Sequence, residues 1–204
     1  MRIGIIGAGG IGQAIAAHIA KAGYELTISN RRGPETLTGI ASQIGGRTKA
    51  GTRRQAAEAD VVFLAVRWGQ TADALGGLPS WNGRILVDAT NPAIETPAGI
   101  RPAELNGKTS SEVVAALAPG ARVVKAANTL VRAMLAEDPN VGGGHRVLFM
   151  SGDDAQAKMI VSEVLEKAGF ATVDLGALAS GGKLQQFPGG TLPTLNLIKM
   201  GCWP

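Results

Sequence analysis

The sequence predicts an α/β protein built on a doubly wound, mostly parallel sheet of about eight strands. Short apolar runs rich in Val and Ile alternate with stretches of helical periodicity, the order that produces a parallel sheet with helices on both faces. The chain has 204 residues, of which 45% are hydrophobic, enough for one sizeable core. Aromatic residues contribute 4%, while Gly and Ala are abundant, which suits close packing of helices on a sheet.

The elements follow in chain order, and each apolar run without polar alternation is interpreted as a buried strand. The first half is predicted to contain strand 2–7, helix 10–22, strand 25–30, helix 35–43, weak strand 47–50, helix 53–58, strand 61–66 and helix 69–76. The second half is predicted to contain strand 84–89, a long loop, helix 110–117, strand 122–127, strand 146–152, helix 154–168 and strand 171–176. Gly23 and Gly169 are expected to end their helices, because glycine adopts the left-handed conformation found there.

An apolar, Gly-rich tail follows, in which Leu192, Leu195 and Ile198 would share one face of a short helix. We therefore expect a single domain over residues 1–180 and a C-terminal helical tail over 181–204. An exposed apolar helix is unfavourable in a monomer, so the tail is expected to pack on the domain or on the partner in a homodimer.

Charge and composition exclude several classes of protein. The net charge of +4 is modest, and the single cysteine, Cys202, excludes an internal disulfide and fits a reducing compartment. Glycines, Gln13 and His18 interrupt the apolar stretch 3–20, which is therefore interpreted as a strand and a helix, not a signal peptide or membrane span. We expect a cytoplasmic protein without a membrane or nucleic-acid partner.

The sequence GAGGIG matches the G-x-G-x-x-G pattern between a predicted strand and a predicted helix. In that setting the first glycine permits a tight turn, the second lets the backbone approach a pyrophosphate, and the third lets helix and strand pack closely. The helix N-terminus then presents free N–H groups to phosphates. The motif predicts a Rossmann-like dinucleotide site with contacts at Gly7, Ala8, Gly9, Gly10, Ile11 and Gly12.

The second predicted strand ends in SNRRG, where an NAD-binding chain would carry a carboxylate for the ribose hydroxyls. Here Asn30 removes that charge, and Arg31 and Arg32 supply guanidinium groups suited to the oxygens of a 2′-phosphate. The sequence therefore favours NADP(H) over NAD(H). A solvated basic face or a nucleic-acid patch is the alternative, although the region has no aromatic platforms for bases.

Ligands of such sheets lie across the C-terminal ends of the strands. Three predicted strand ends carry polar groups for the ribose and carboxamide: Arg67 with Trp68, Thr90 with Asn91 and Pro92, and Asn128 with Thr129. Trp68 is interpreted either as a lid over the ligand or as the first core residue of the following helix.

No proton-relay constellation and no metal site emerge from the sequence. His18 and His145 are interpreted as surface or interface residues, Lys125 lies inside a strand, and Asp153–Asp154 are expected to cap a helix. An alcohol dehydrogenase needs a placed acid or base, whereas hydride transfer between two ring cofactors needs mainly alignment. The absence of a catalytic side chain favours the second type of reaction.

The order of GAGGIG, SNRRG, DATNP, VVKAANT, SGDDAQAK and GFATVDLGAL resembles that of the coenzyme F420-dependent NADP oxidoreductases, over nearly the whole chain. The domain is also similar to the reductase part of the six-transmembrane ferric reductases. The resemblance implies NADP as cofactor, with coenzyme F420, FMN or FAD as the small-molecule acceptor, and a homodimer formed through the C-terminal helix. It places further cofactor contacts at Ala65, Val66 and Ala127.

The chain departs from the family's pattern at Arg67, at Ala127 and along residues 181–196, the segments that would face the acceptor. Two other functions stay open from the sequence. One is an NADP-dependent dehydrogenase of a small carbonyl or hydroxy-acid substrate. The other is a non-catalytic NADPH sensor that signals through a partner.

Overall fold

Eight strands form the path of one central sheet in the computed structural model, which describes residues 1–201. The strand bounds are β1 Arg2–Ile6, β2 Glu25–Ser29, β3 Arg47–Gly51, β4 Val61–Leu64, β5 Ile85–Asp88, β6 Ala93–Thr96, β7 Gly99–Pro102, β8 Arg122–Ala126, β9 Asn140–Val141, β10 Gly144–Gly152, β11 Ala171–Asp174 and β12 Ile198–Met200. The path runs β11-β10-β8-β5-β4-β1-β2-β3, and β9 and β12 both pair with β10. Only β8 and β10 meet antiparallel along this path, so the predicted mostly parallel α/β fold is confirmed.

Eight α-helices connect these strands in the described part of the chain. Their bounds are α1 Gly10–Lys21, α2 Thr38–Ile44, α3 Arg53–Ala57, α4 Thr71–Leu75, α5 Ser110–Leu117, α6 Arg132–Ala136, α7 Ala155–Lys167 and α8 Gly181–Gln185. Short 3₁₀ turns at Pro34–Leu37 and Trp68–Gln70 precede α2 and α4. None of the helices within residues 1–201 has the length and apolar character needed to cross a membrane.

The core lies on both faces of the sheet because successive strand residues point in opposite directions. On β4, Phe63 joins a cluster with α1, α2, α6 and α7, whereas Leu64 joins a cluster with α3, α4 and α5. On β1, Ile5 belongs to the same cluster as Phe63, and Ile6 belongs to the same cluster as Leu64. This double coverage explains why the strands lack polar alternation in the sequence.

The order of strands reverses between β1 and β4. From β1 the chain adds β2 and β3 on one side, and then returns to add β4, β5 and β8 on the other. At such a point the loops that leave two neighbouring strands diverge and open a crevice at their C-terminal ends. The fold therefore locates a ligand crevice beside the glycine turn that follows β1.

The structure adds α6 and β9 between the predicted strands 122–127 and 146–152, and it corrects the sequence predictions in two further segments. The long loop after β5 contains the antiparallel hairpin of β6 and β7. The predicted helix through Leu192, Leu195 and Ile198 is wrong, since the helix of the described tail is α8 and Ile198 begins β12. Thr194 has a φ of 71°, which a helix excludes, and its N–H donates to the Thr129 carbonyl oxygen over 2.7 Å. Residues 202–204, with Cys202, lie outside the described residues.

Candidate functional site

The glycine turn has the geometry that its motif predicts. Gly7 has a φ of +114°, and a Cβ there would overlap the Ala65 carbonyl oxygen. A Cβ at Gly12 would overlap the Gly7 carbonyl oxygen, so helix α1 packs against the end of strand β1 at a distance that only glycine allows. A Cβ at Gly9 would meet nothing within 4 Å. The backbone at Gly9 therefore faces open space, as required for close approach of a ligand.

The turn also leaves the start of α1 free. Gly9 is the N-cap residue, without a side-chain capping bond and without an acidic residue in the first turn. Gln13 donates from Nε2 to the Ala8 carbonyl oxygen over 2.8 Å, which fixes the turn against its own helix. The first N–H groups and the positive end of the helix dipole are thus available to an anion.

The loop after β2 places two arginine side chains beside this turn. Asn30 accepts hydrogen bonds from the N–H groups of Arg32 and Gly33, at 2.8 and 3.0 Å, and its Nδ2 donates to Thr36. Its side chain shapes the loop, which leaves Arg31 and Arg32 exposed. Neither arginine forms an ion pair within residues 1–201.

A cleft of about 800 Å³ brings the two features together. It joins one part of the predicted site: Gly7, Ala8, Gly9, Asn30, Arg31, Arg32, Ala65, Val66 and Arg67. Sequence reasoning missed three polar residues of its wall, Arg53, Gln70 and Asp73. The sequence offered a signal for Arg53 alone, since it belongs to a basic stretch. Gln70 and Asp73 carry no such signal, because they reach the cleft only through the position of α4.

Gly10, Ile11, Gly12 and Trp68 lie outside the lining of the cleft. Trp68 is partly buried against the core cluster that contains α3, α4 and α5, which matches its interpretation as a core residue. Arg67 forms an exposed ion pair of 3.1 Å with Glu95 of β6. This contact connects the loop after β4 to the hairpin that the sequence did not predict.

The predicted residues at the ends of β5 and β8 form a second, closed arrangement. Asn91 and Asn128 exchange hydrogen bonds of 2.9 Å, and Asn128 also donates to the Gln185 carbonyl oxygen of α8 over 2.8 Å. Pro92 is buried, and Ala127 is buried with a φ of 58°. Thr129 is buried, and its hydroxyl has no partner among the described residues. These residues adjoin the tail and do not line the 800 Å³ cleft.

A buried ion pair lies beneath that arrangement. Lys125 and Asp88 are both 0% exposed, and their Nζ and Oδ2 atoms are 3.3 Å apart. Lys125 also donates to the Thr90 carbonyl oxygen and to Ser110, both at 3.1 Å. Asp88 accepts from Thr90 and Ser111. Lys125 therefore holds strand ends and α5 together. We call Asp88, Thr90, Asn91, Ser110, Ser111, Lys125, Asn128 and Gln185 the strand-end network.

His18, His145 and the acidic pair Asp153–Asp154 do not line the cleft. The prediction that His18 lies at the surface is wrong, because His18 is buried, with its Nε2 2.8 Å from the Leu135 carbonyl oxygen and its ring 5.0 Å from that of Phe170. Burial lowers the pKa of His18, and the hydrogen bond to Leu135 opposes this. His145 is exposed. Asp154 caps α7 by accepting from the Ala157 N–H, so the predicted cap is confirmed for Asp154, whereas Asp153 precedes the helix and accepts from the Leu178 N–H.

Comparisons with known proteins agree with this geometry. The family model for NADP oxidoreductase, coenzyme F420-dependent, matches residues 2–92, which run from β1 past the end of β5. A crystal structure of a hypothetical protein from Sinorhizobium meliloti is 46% identical and covers 98% of this chain and 96% of its own, with a TM-score of 0.91.

Two further relatives carry functional descriptions. A structure from Arthrobacter sp. FB24, described as a candidate F420-dependent NADP-reductase, is 27% identical with a TM-score of 0.76 and covers 87% of this chain and 86% of its own. Metalloreductase STEAP3 of Rattus norvegicus is 27% identical over 95% of this chain, which spans only 37% of that protein. From its fold, its glycine turn and these matches, the chain belongs to the family of coenzyme F420-dependent NADP oxidoreductases.

Proposed function

We propose that this protein transfers a hydride between NADP(H) and a deazaflavin such as coenzyme F420, or a flavin. The observation that carries the proposal is the cleft itself, where the open backbone at Gly9 lies beside Arg31 and Arg32. A pyrophosphate fits the glycine turn, and a 2′-phosphate fits two arginines that have no carboxylate partner among residues 1–201. The family description and the similarity to a candidate F420-dependent NADP-reductase support the class of acceptor.

The residues present fit NADP(H) at two points. The cleft supplies cations at the adenosine end, and the uncapped start of α1 at the glycine turn supplies backbone N–H groups for the pyrophosphate. NADPH, when bound, supplies the hydride. The chain's own groups then position the two rings and exclude water, which is the main requirement of hydride transfer between ring systems.

The test is NADPH oxidation followed by absorbance, with coenzyme F420, FMN and FAD offered separately. We expect reduction of the deazaflavin or a flavin with NADPH and much weaker reduction with NADH. Arg31→Met should lower kcat/KM for NADPH by about tenfold or more, as for the loss of one charge-assisted hydrogen bond, without changing Tm. Tight NADPH binding without turnover of any of the three acceptors would contradict the proposal.

We also propose that the protein forms a homodimer through its tail. Leu195, Leu197 and Met200 are 40%, 44% and 53% exposed, and Val141, which is 37% exposed, pairs with Gly144 of β10 from the other side of that strand than Met200. Sedimentation velocity should give a dimer, and Leu197→Glu should shift it toward monomer while Lys199→Glu, at an exposed polar site two residues further along, should not. A monomeric wild-type protein at micromolar concentration would refute the dimer.

A further inference from the structure

Arg53 lies beside Arg31 because of the strand register. Ser29, the last residue of β2, pairs with Gly51, the last residue of β3. Arg31 and Arg53 each follow two residues later, so both side chains leave the same edge of the sheet from neighbouring strands. Both line the cleft. The register therefore brings together two arginines that are far apart in the sequence.

Local structure fixes the position of Arg53. Thr52 caps α3 by accepting from the Gln55 N–H at 3.2 Å, and its own N–H donates to Gln55 Oε1 at 2.8 Å. Arg53 is the first residue of this helix. Its Nη1 donates to the Asp73 carbonyl oxygen of α4, so the side chain reaches across to the opposite helix. The other guanidinium donors remain available, since arginine carries five.

The cleft collects more positive than negative charge, since four arginines line it and Asp73 is the one acidic residue of its described lining. Within residues 1–201, Arg31, Arg32 and Arg53 form no ion pair, although other arginines of the chain do. Three arginines around one space, without ion-pair partners in that part of the chain, repel each other, and a phosphate monoester, with a charge of about −1.5 to −2 at pH 7, relieves that repulsion.

We propose that Arg53 is a third ligand of the 2′-phosphate and a determinant of NADP(H) specificity, an inference that rests on the proposed binding of NADP(H) in this cleft. Its fixed hydrogen bond to Asp73 orders the guanidinium before binding, which reduces the entropy lost when the phosphate is bound. The neighbouring Arg54 is exposed and does not line the cleft, so it provides a matched control on the same helix.

The experiment measures dissociation constants by calorimetry for Arg53→Met, Arg53→Lys, Arg54→Met and Arg31→Met. The ligands are NADPH, NADH, adenosine 2′,5′-bisphosphate and AMP. Arg53→Met should weaken NADPH and the bisphosphate by about tenfold and leave NADH and AMP unchanged. Arg53→Lys should retain part of the affinity, and Arg54→Met should match the wild type. Unchanged Tm values would show that the variants are folded.

Two results would overturn the proposed role of Arg53 without contradicting the proposed NADP(H) site. If Arg53→Met binds NADPH like Arg54→Met while Arg31→Met is weakened, Arg53 does not contact the phosphate. If Arg53→Met weakens NADPH and NADH equally, it contacts the adenine or ribose and does not set specificity. A wild-type protein that binds the bisphosphate no better than AMP would instead refute the proposed NADP(H) site.

Discussion

The cleft and the strand-end network lie at the same edge of the sheet, but charged groups are exposed in the first and buried and paired in the second. In the cleft, Arg31 and Arg32 are exposed and form no ion pair among the described residues. In the network, Lys125 and Asp88 are 0% exposed and hydrogen-bonded on several sides. The difference shows that a polar side chain at a strand end is available to a ligand only where neighbouring groups leave its donors free.

The same difference predicts separate effects on stability and on binding. A buried charge that loses its partner is left in a medium of low polarity, which strongly favours unfolding. An exposed charge without a partner interacts mostly with water, so its removal changes stability little. Substitutions in the network should therefore act on folding, and substitutions in the cleft on affinity.

The largest expected effect on stability is that of Asp88→Asn. It leaves the Lys125 ammonium buried without a counter-charge, and should lower the free energy of unfolding by about 3–5 kcal/mol. Urea denaturation measures it. The matched control is Glu25→Gln, which breaks the exposed pair with Arg47, 3.8 Å apart, and should cost less than about 1 kcal/mol.

Removal of both buried partners sharpens this contrast. Lys125→Met combined with Asp88→Leu should recover much of the loss, because no isolated charge then remains in the core. Equal costs for Asp88→Asn and Glu25→Gln would show that the buried pair is not the distinguishing feature of the strand-end network.

A smaller effect is expected from acidification. Burial lowers the pKa of His18 below its ordinary value of 6.5, so the unfolded chain binds a proton before the folded one does. The stability of the folded state is therefore complete above pH 6.5 and falls as the pH decreases through 6.5 toward the folded pKa. One such group gives a slope of at most about 1.4 kcal/mol per pH unit.

Urea denaturation of the wild type and His18→Gln between pH 5 and 7 measures this slope. Glutamine retains a donor for the Leu135 carbonyl oxygen but does not titrate, so the variant should lose less stability at low pH. An unchanged slope in His18→Gln would contradict the role of burial.

Local sequence determined the fold and the first half of the site. The alternation of apolar runs and helices gave the parallel sheet, and the spacing of Gly7, Gly9 and Gly12 gave the turn, because both depend on backbone geometry over a few residues. Arg31 and Arg32 were found in the same way, since they follow β2 directly.

Only the tertiary structure decided the remaining features. Arg53 reaches the cleft because β3 pairs in register with β2, and His18 is buried because α6 covers it. The tail forms no helix at Leu192–Ile198, because a hydrogen bond from the Thr194 N–H to the Thr129 carbonyl oxygen and strand pairing with β10 satisfy backbone groups there instead. Such contacts join residues distant in the chain, whereas propensity and spacing describe only neighbours. The sequence alone therefore determined the sheet and the turn. Packing determined which polar groups remain free.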